Sequence, residues 1–230
     1  MTAKILQMVN SAYFGLCRKI TRAEEAVSYL GMETVKSLVL SAKIFSQFDQ
    51  RKMAFFPMDE LWDHSLRASM CAKAISRVEQ YDKEQVDSAF MACILHDLGK
   101  LILAQNLPGP YQTVLSVALR DQRPLWDVEM ENIGTSHAQI AAYLMGLWGM
   151  PDMIVEAIAF HHQPAASPGK NDILTTVHAA NVLTKPLEDG VDSAGMSSVD
   201  HIYLQKVGLQ EQFSIWQQVC QNISAKGEEN

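Results

Sequence analysis

The sequence predicts an all-α fold, a multi-helical bundle with a small N-terminal helical lobe. Three observations carry that expectation. Apolar residues recur at i, i+3 and i+4 through most of the chain, the period of an amphipathic helix. Serine, acidic residues and proline stand where such segments begin, and glycine or polar loops stand where they stop. Runs of alternating β-branched residues and hairpin dipeptides are missing, so no strand is expected.

Each element has its own warrant. Ile5, Leu6, Met8 and Val9 already show helical spacing with no cap before them, so the first helix is expected to begin abruptly or to lack upstream sequence. Thr21 and Glu24 suggest a capping box for a helix that stops at Gly31. Glu33 to Phe45 carries a broad apolar face. Pro57 opens a longer helix through Leu61, His64 and Met70 to about Val78, with Asp59 and Glu60 where the helix dipole favours acid. Lys83 to Leu95 is helical and delivers His96-Asp97 at its end. Leu98 to Ala104 continues apolar, and Leu107-Pro108-Gly109-Pro110 reads as a break. Helices follow at Tyr111 to Arg120 and, behind Pro124, at Leu125 to Asn132. Ser136 caps the helix of His137, Ile140, Tyr143 and Leu144, and Pro151 starts Asp152 to His161. Asp172 to Leu183 is helical, Pro186 to Ser197 is a polar loop, and two helices close the chain at Val199 to Val207 and Glu211 to Ile223. Ser224 to Asn230 is expected to fray.

Composition narrows the function. The 230 residues are 48% apolar, enough for a real core. A net charge of -7 and no dense Lys/Arg cluster give no footprint for nucleic acid. No apolar run is long enough to span a membrane, and the start lacks a signal-peptide pattern. Cys17, Cys71, Cys93 and Cys220 form no CxxC pair, which fits core thiols in a reducing cytoplasm.

The chemistry concentrates in His96-Asp97, where an apolar run meets two side chains able to bind metal. A buried charge needs a partner, and a divalent ion is one. His64, His137 and the pair His161-His162 lie on other predicted helices, and donors from separate helices are a known way to build such a site. Spacing alone does not show that they meet. His178 and His201 read as an ordinary core and an ordinary surface residue.

Leu95-His96-Asp97-Leu98-Gly99-Lys100 resembles the motif that names the HD superfamily of metal-dependent phosphohydrolases. Val9-Asn10-Ser11-Ala12-Tyr13-Phe14-Gly15 with Ala26-Val27-Ser28-Tyr29-Leu30-Gly31 resembles the opening of the HDOD subfamily. Leu61-Trp62-Asp63-His64-Ser65, Ser136-His137, Leu147-Trp148-Gly149-Met150-Pro151 and Ala157-Ile158-Ala159-Phe160-His161-His162 extend the likeness in order to about residue 185. The resemblance implies an HDOD domain over residues 1–185, with an N-terminal lobe to about 50 and an HD-like lobe from about 51. Residues 186–230 would pack on the same domain. Family members commonly carry two more helices ahead of Asn10, which implies a truncated start here.

The resemblance also implies a bacterial, cytoplasmic signalling module that works with protein partners or a fused sensor or receiver domain. By similarity to the HD-GYP enzymes, His64, His96, Asp97 and the position of Asn181 would hold one metal, and His137, His161 and His162 a second, with Asp97 shared. The metal would be iron, manganese, nickel or zinc, in one or two ions. Asp97 and Lys100 would be the catalytic groups, Lys100 contacting a substrate phosphate of a phosphoester or nucleotide. Two departures weigh against catalysis: Asn181 stands where the pattern has aspartate, and Gln163-Pro164 follows the histidine pair where a GYP stretch would lie. A signalling module is therefore expected ahead of a phosphohydrolase. A plain helical scaffold comes third.

Overall fold

A computed structural model describes residues 6, 8–11, 14, 16, 18–184 and 199–228, with side chains through 223. Most of the helix expected at Met1 to Val9, Ala12, Tyr13, Gly15, Cys17 and the polar loop from 186 to 197 lie outside these residues. Among the described residues every regular element is helical. In chain order these are α1 (Ala23–Leu30), α2 (Met32–Phe45), α3 (Met58–Val78), α4 (Lys83–Leu95), α5 (Leu98–Asn106) and α6 (Pro108–Asp121). Then come α7 (Leu125–Ile133), α8 (His137–Leu147), α9 (Asp152–Phe160), α10 (Asp172–Leu183), α11 (His201–Val207) and α12 (Phe213–Glu228). None is long and apolar enough to cross a membrane.

The centre is α4. Val86, Ala89, Phe90, Ala92, Cys93, Ile94 and Leu95 are all buried, so the helix is covered on several sides rather than along one stripe. Its neighbours are α2, α3, α9 and α10. The start is fixed by Asp82, whose side chain accepts from Gln85 N while Gln85 returns the bond to the Asp82 backbone. Small buried residues on α3 (Ser65, Ala68, Ser69, Cys71, Ala72) let it lie close against α4. The N-terminal segment is tied down by Asn10. Its side-chain amide donates to Leu6 O and Ile20 O, both at 2.7 Å, and its oxygen accepts from Ile20 N at 2.6 Å.

Several expectations need correction. Thr21 does not cap α1; its backbone N–H donates to Glu25, and Arg22 takes the cap position without a side-chain bond. Pro108 to Pro110 is not a break but the first turn of α6, where absent proline N–H groups cost nothing. The last helix runs on to Glu228. Phe56 and Trp216 are core residues, and Trp216 donates to Glu79 at 2.8 Å, seating α12 on α3. The same seam overturns the expectation of free core thiols. Cys71 on α3 and Cys220 on α12 are joined as a disulfide, with Cα atoms 5.1 Å apart, while Cys93 is free and buried.

Candidate metal centre

Six helices deliver the predicted residues to one place. His64 projects from α3, inside a buried face that includes Leu61, Ser65 and Ala68. His96 is the C-cap of α4, and Asp97 is the N-cap of α5. An aspartate at that position ordinarily accepts from the first-turn N–H groups. Asp97 makes no such bond, and its carboxylate faces the histidines. His137 is the first residue of α8, fixed by a capping box between Ser136 and Gln139. His161 is the C-cap of α9, His162 follows it, and Asn181 comes from the buried face of α10.

Around Asp97 the distances are short. Its Oδ2 lies 2.8 Å from Lys100 Nζ, 3.3 Å from His96 Nε2 and 3.7 Å from His64 Nε2. Its Oδ1 lies 3.2 Å from His137 Nε2 and 3.8 Å from His161 Nε2. Asn181 Oδ1 stands 3.0 Å from His64 Nε2 and 3.3 Å from His96 Nε2. His162 Nε2 is 2.9 Å from His137 Nε2. The donors form two groups that share Asp97: His64, His96 and Asp97 in one, Asp97, His137, His161 and His162 in the other. Within each group the ligand atoms lie within 4.8 Å of one another. All are buried except half-buried His162, whose ring stacks on Trp126 at 6.2 Å.

The backbone sets the tautomers. His96 Nδ1 donates to Cys93 O and His161 Nδ1 to Ile158 O, each three residues back at a helix end. Each ring therefore turns an Nε2 lone pair inward. His161 Nε2 makes no hydrogen bond among the described residues. His137 Nδ1 faces Glu129 Oε2 at 2.6 Å, and the same oxygen accepts from the His137 backbone N–H at 2.7 Å. Tyr111 donates to the other Glu129 oxygen at 2.9 Å. His178 stays outside the cluster, donating to His161 O and accepting from Asp200 N. His201 is exposed, as expected.

The charges are strongly coupled. Burial would push the Asp97 carboxyl up, but His96 and Lys100, with hydrogen bonds from His137 and His96, hold it well below the usual carboxylate range. Burial would lower His137, yet the negative charge of Glu129 and the contacts with Asp97 raise it to about 9. Burial, followed by the charge of His96, drives His161 well below its ordinary value against the pull of Asp97. A neutral His161 is a ready ligand.

The donor set fits a divalent first-row metal. Imidazole nitrogens and one carboxylate are its usual ligands. The lone pairs of His96 Nε2 and Asn181 Oδ1 face each other at 3.3 Å, and such acceptors need a cation or proton between them. Lys100 lies bonded to Asp97 rather than open to solvent.

Sequence reasoning missed the support around these donors. Glu129 is fully buried on the stripe of Leu125 and Val128, and a carboxylate at a stripe position was the available signal. Tyr111 gave none. Gly99 is a contact point: a Cβ there would sit 2.0 Å from His137 O, so only glycine lets α5 approach α8 this closely.

Comparison with known proteins agrees with this architecture. The HDOD domain profile matches residues 1–164. An uncharacterized protein of Treponema pallidum (strain Nichols) is 25% identical over 195 residues, 82% of this chain and 36% of that protein. The chain thus spans about a third of the length of that relative. A solved structure from Shewanella amazonensis SB2B, provisionally named a phosphohydrolase, aligns with TM-score 0.70 at 18% identity, over 98% of this chain and 79% of that one. Another from Marinobacter aquaeolei VT8, provisionally named a signal transduction protein, gives TM-score 0.70 at 23% identity, over 98% and 51%. At these identities the two structures speak for the fold alone. With a profile match over most of its length and the His/Asp cluster in place, the chain belongs to the HDOD domain family.

Proposed function

We propose that the chain is a regulatory, signal-transducing HDOD module whose His/Asp cluster holds a divalent metal and turns over phosphoesters weakly or not at all. The observation that carries this reading is Asn181. It sits within 3.3 Å of both His64 and His96, where a hydrolase of this pattern has a carboxylate. A neutral amide leaves that half of the site with Asp97 as its single anion, and Asp97 is shared with Lys100. Less negative charge means weaker hold on a second hard cation. Iron, manganese, nickel or zinc suits the donors, with His64, His96, Asp97, His137, His161 and His162 as ligands and Asn181 as a weak one. On this reading the module works with a partner protein or a fused sensor or receiver domain; the Cys71–Cys220 bridge removes the free-thiol argument for a bacterial cytoplasm, and that location rests on the resemblance alone.

The second reading is a metal-dependent phosphohydrolase acting on a nucleotide-type phosphoester. It is favoured by the division of donors into two groups that share one carboxylate. A divalent metal held by His64, His96 and Asp97, or by Asp97, His137, His161 and His162, would supply Lewis-acid polarisation of a phosphoryl oxygen and a water of lowered pKa. The chain's own part is positional. Glu129 holds the His137 ring, the helix-end carbonyls orient His96 and His161, and burial excludes bulk water. Lys100 would have to exchange Asp97 for a phosphate oxygen.

Elemental analysis of the purified chain, with Asp97→Ala as control, tests the metal. A panel of phosphomonoesters, phosphodiesters and cyclic dinucleotides tests turnover. The regulatory reading expects stoichiometric metal, lost in Asp97→Ala, and no turnover above that of the variant. Metal-dependent turnover that Asp97→Ala abolishes would move the assignment to the hydrolase.

A further inference from the structure

The outward face of α8 carries an apolar stripe that the described residues leave largely open: Ile140 and Leu144 are half-buried against the core, and the rest of the stripe is exposed. Ile140, Tyr143, Leu144, Leu147 and Trp148 follow the i, i+3, i+4, i+7, i+8 spacing that ordinarily marks a buried helix face. Yet Tyr143 is 72% exposed, Leu147 65% and Trp148 48%. The inward face of the same helix is already satisfied by buried Ala138, Ala141, Ala142 and Met145, packed towards α5 and α9. The helix is apolar on two sides, and among the described residues the outward one stays exposed at Tyr143, Leu147 and Trp148.

Charge says what the open side fits. From residue 132 to residue 151 the chain has no Asp, Glu, Lys or Arg, although 20% of the whole chain is charged. Twenty residues at that rate would carry four charges. A partner of opposite charge would find nothing here to pair with. Two copies of a chain with net charge -7 repel over most of their surface, and this face is where they can meet without opposing like charges. Charge depletion with Tyr, Trp and Met enrichment is also the composition of homodimer interface cores.

Area is consistent with that occupant. An aromatic side chain buries about 150–250 Å². The exposed fractions of Tyr143 and Trp148 then offer roughly 200–300 Å² between them. Leu147 takes the patch into the roughly 300–600 Å² that the largest apolar patches of monomers cover. A standard interface needs about 800 Å² per partner, so the stripe would form its core within a polar rim that includes Gln139.

We propose that the stripe Ile140–Tyr143–Leu144–Leu147–Trp148 on α8 is a self-complementary surface through which two copies of this chain form a two-fold dimer. A two-fold axis pairs the patch with itself and closes the assembly at two. The proposal is independent of whether the metal centre turns over substrate.

Sedimentation equilibrium of the metal-loaded chain over a concentration series tests it, with Leu147→Glu and Tyr143→Glu as variants. Both positions are exposed, so the fold should tolerate them; circular dichroism and thermal melting check that it does. The expected result is a dimer whose dissociation constant rises roughly thirtyfold or more in each variant, the scale of losing an interface hot spot. A monomeric wild-type chain would overturn the proposal and leave the face to another protein or a membrane surface. So would a dimer that both folded variants leave unchanged.

Discussion

Gly99→Ala is the sharpest test of how the fold positions the candidate metal centre. The added Cβ would lie 2.0 Å from His137 O, 2.6 Å from its carbonyl carbon and 2.8 Å from its Cα. These are backbone atoms at the start of α8 and cannot rotate away. A carbon–oxygen contact settles at about 3.3 Å or more, so α5 and α8 must separate locally by about 1.3 Å. Overpacking of a core costs about 1–3 kcal/mol, and a backbone obstacle belongs at the upper end. The better helix propensity of alanine returns about 1 kcal/mol. The net loss of about 2 kcal/mol lowers Tm by roughly 4–8 °C for a domain of this size. The same shift draws His137 away from Asp97, now 3.2 Å from it. Metal–ligand distances tolerate about 0.2 Å, so metal affinity should fall roughly 10–100-fold, as for other losses of ligand support. Differential scanning fluorimetry and chelator competition read the two effects. Gly146→Ala is the control: it is helical, a Cβ there meets nothing within 4 Å, and it should be neutral or stabilising by up to about 1 kcal/mol. A Gly99→Ala protein with unchanged Tm and unchanged metal affinity would refute the reasoning.

Other outcomes follow from the same geometry. Glu129→Gln keeps the shape but removes the charge that orients His137, so metal affinity should drop roughly 10–100-fold and the gain in Tm on metal loading should shrink with it; equal affinity would show that Glu129 only fills space. His137, raised to about 9 without metal, must give up a proton when its Nε2 takes a ligand role. Below that pH loading should release about one proton from His137, and apparent affinity should climb with pH and level off above about 9. Calorimetry in buffers of different ionisation enthalpy measures the release, and a pH-independent affinity from 7 to 9 would contradict it. Alkylation and peptide mapping of the unfolded, unreduced chain should label Cys93 and leave Cys71 and Cys220 unlabelled, because those two are joined. Labelled Cys71 and Cys220 would remove that bridge.

How much of this was legible in the sequence depends on whether the cause was local. The end of α4 at Leu95, the start of α3 after Pro57 and the Ser136 cap of α8 were readable, because proline, caps and period act over one or two turns. The Pro108–Pro110 turn was misread because proline punctuates a chain but is also at home in a first helical turn. The Cys71–Cys220 bridge spans 149 residues, and nothing local records that α12 returns to α3. Histidine and aspartate identities suggested a site, and the resemblance grouped them. Glu129 escaped because a carboxylate on a helix stripe is legible only once the stripe is known to be buried. The stripe on α8 is the converse case, since its spacing reads the same whether or not anything covers it, and only the exposure of Tyr143, Leu147 and Trp148 tells the two apart.

The candidate metal centre is assembled from parts whose orientation is fixed before they meet. His96 and His161 are each turned by a carbonyl three residues back on their own helix, so their inward nitrogens do not depend on the other helices. Asp97 gives up the cap bond that its position on α5 offers, a contribution of about 1 kcal/mol, and spends its oxygens on Lys100 and the histidines instead. A local rule broken without local gain marks a functional site. What remains for tertiary structure is convergence, and that is where the cost lies: buried lone pairs brought together repel unless a cation joins them. Because the donors come from α3, α4, α8 and α9, with Asn181 on α10, a bound ion would tie these helices into one unit. Binding energy at such a site is folding energy. A centre of this design can serve a signalling module without any turnover, since occupancy alone changes how firmly the helices around it are held.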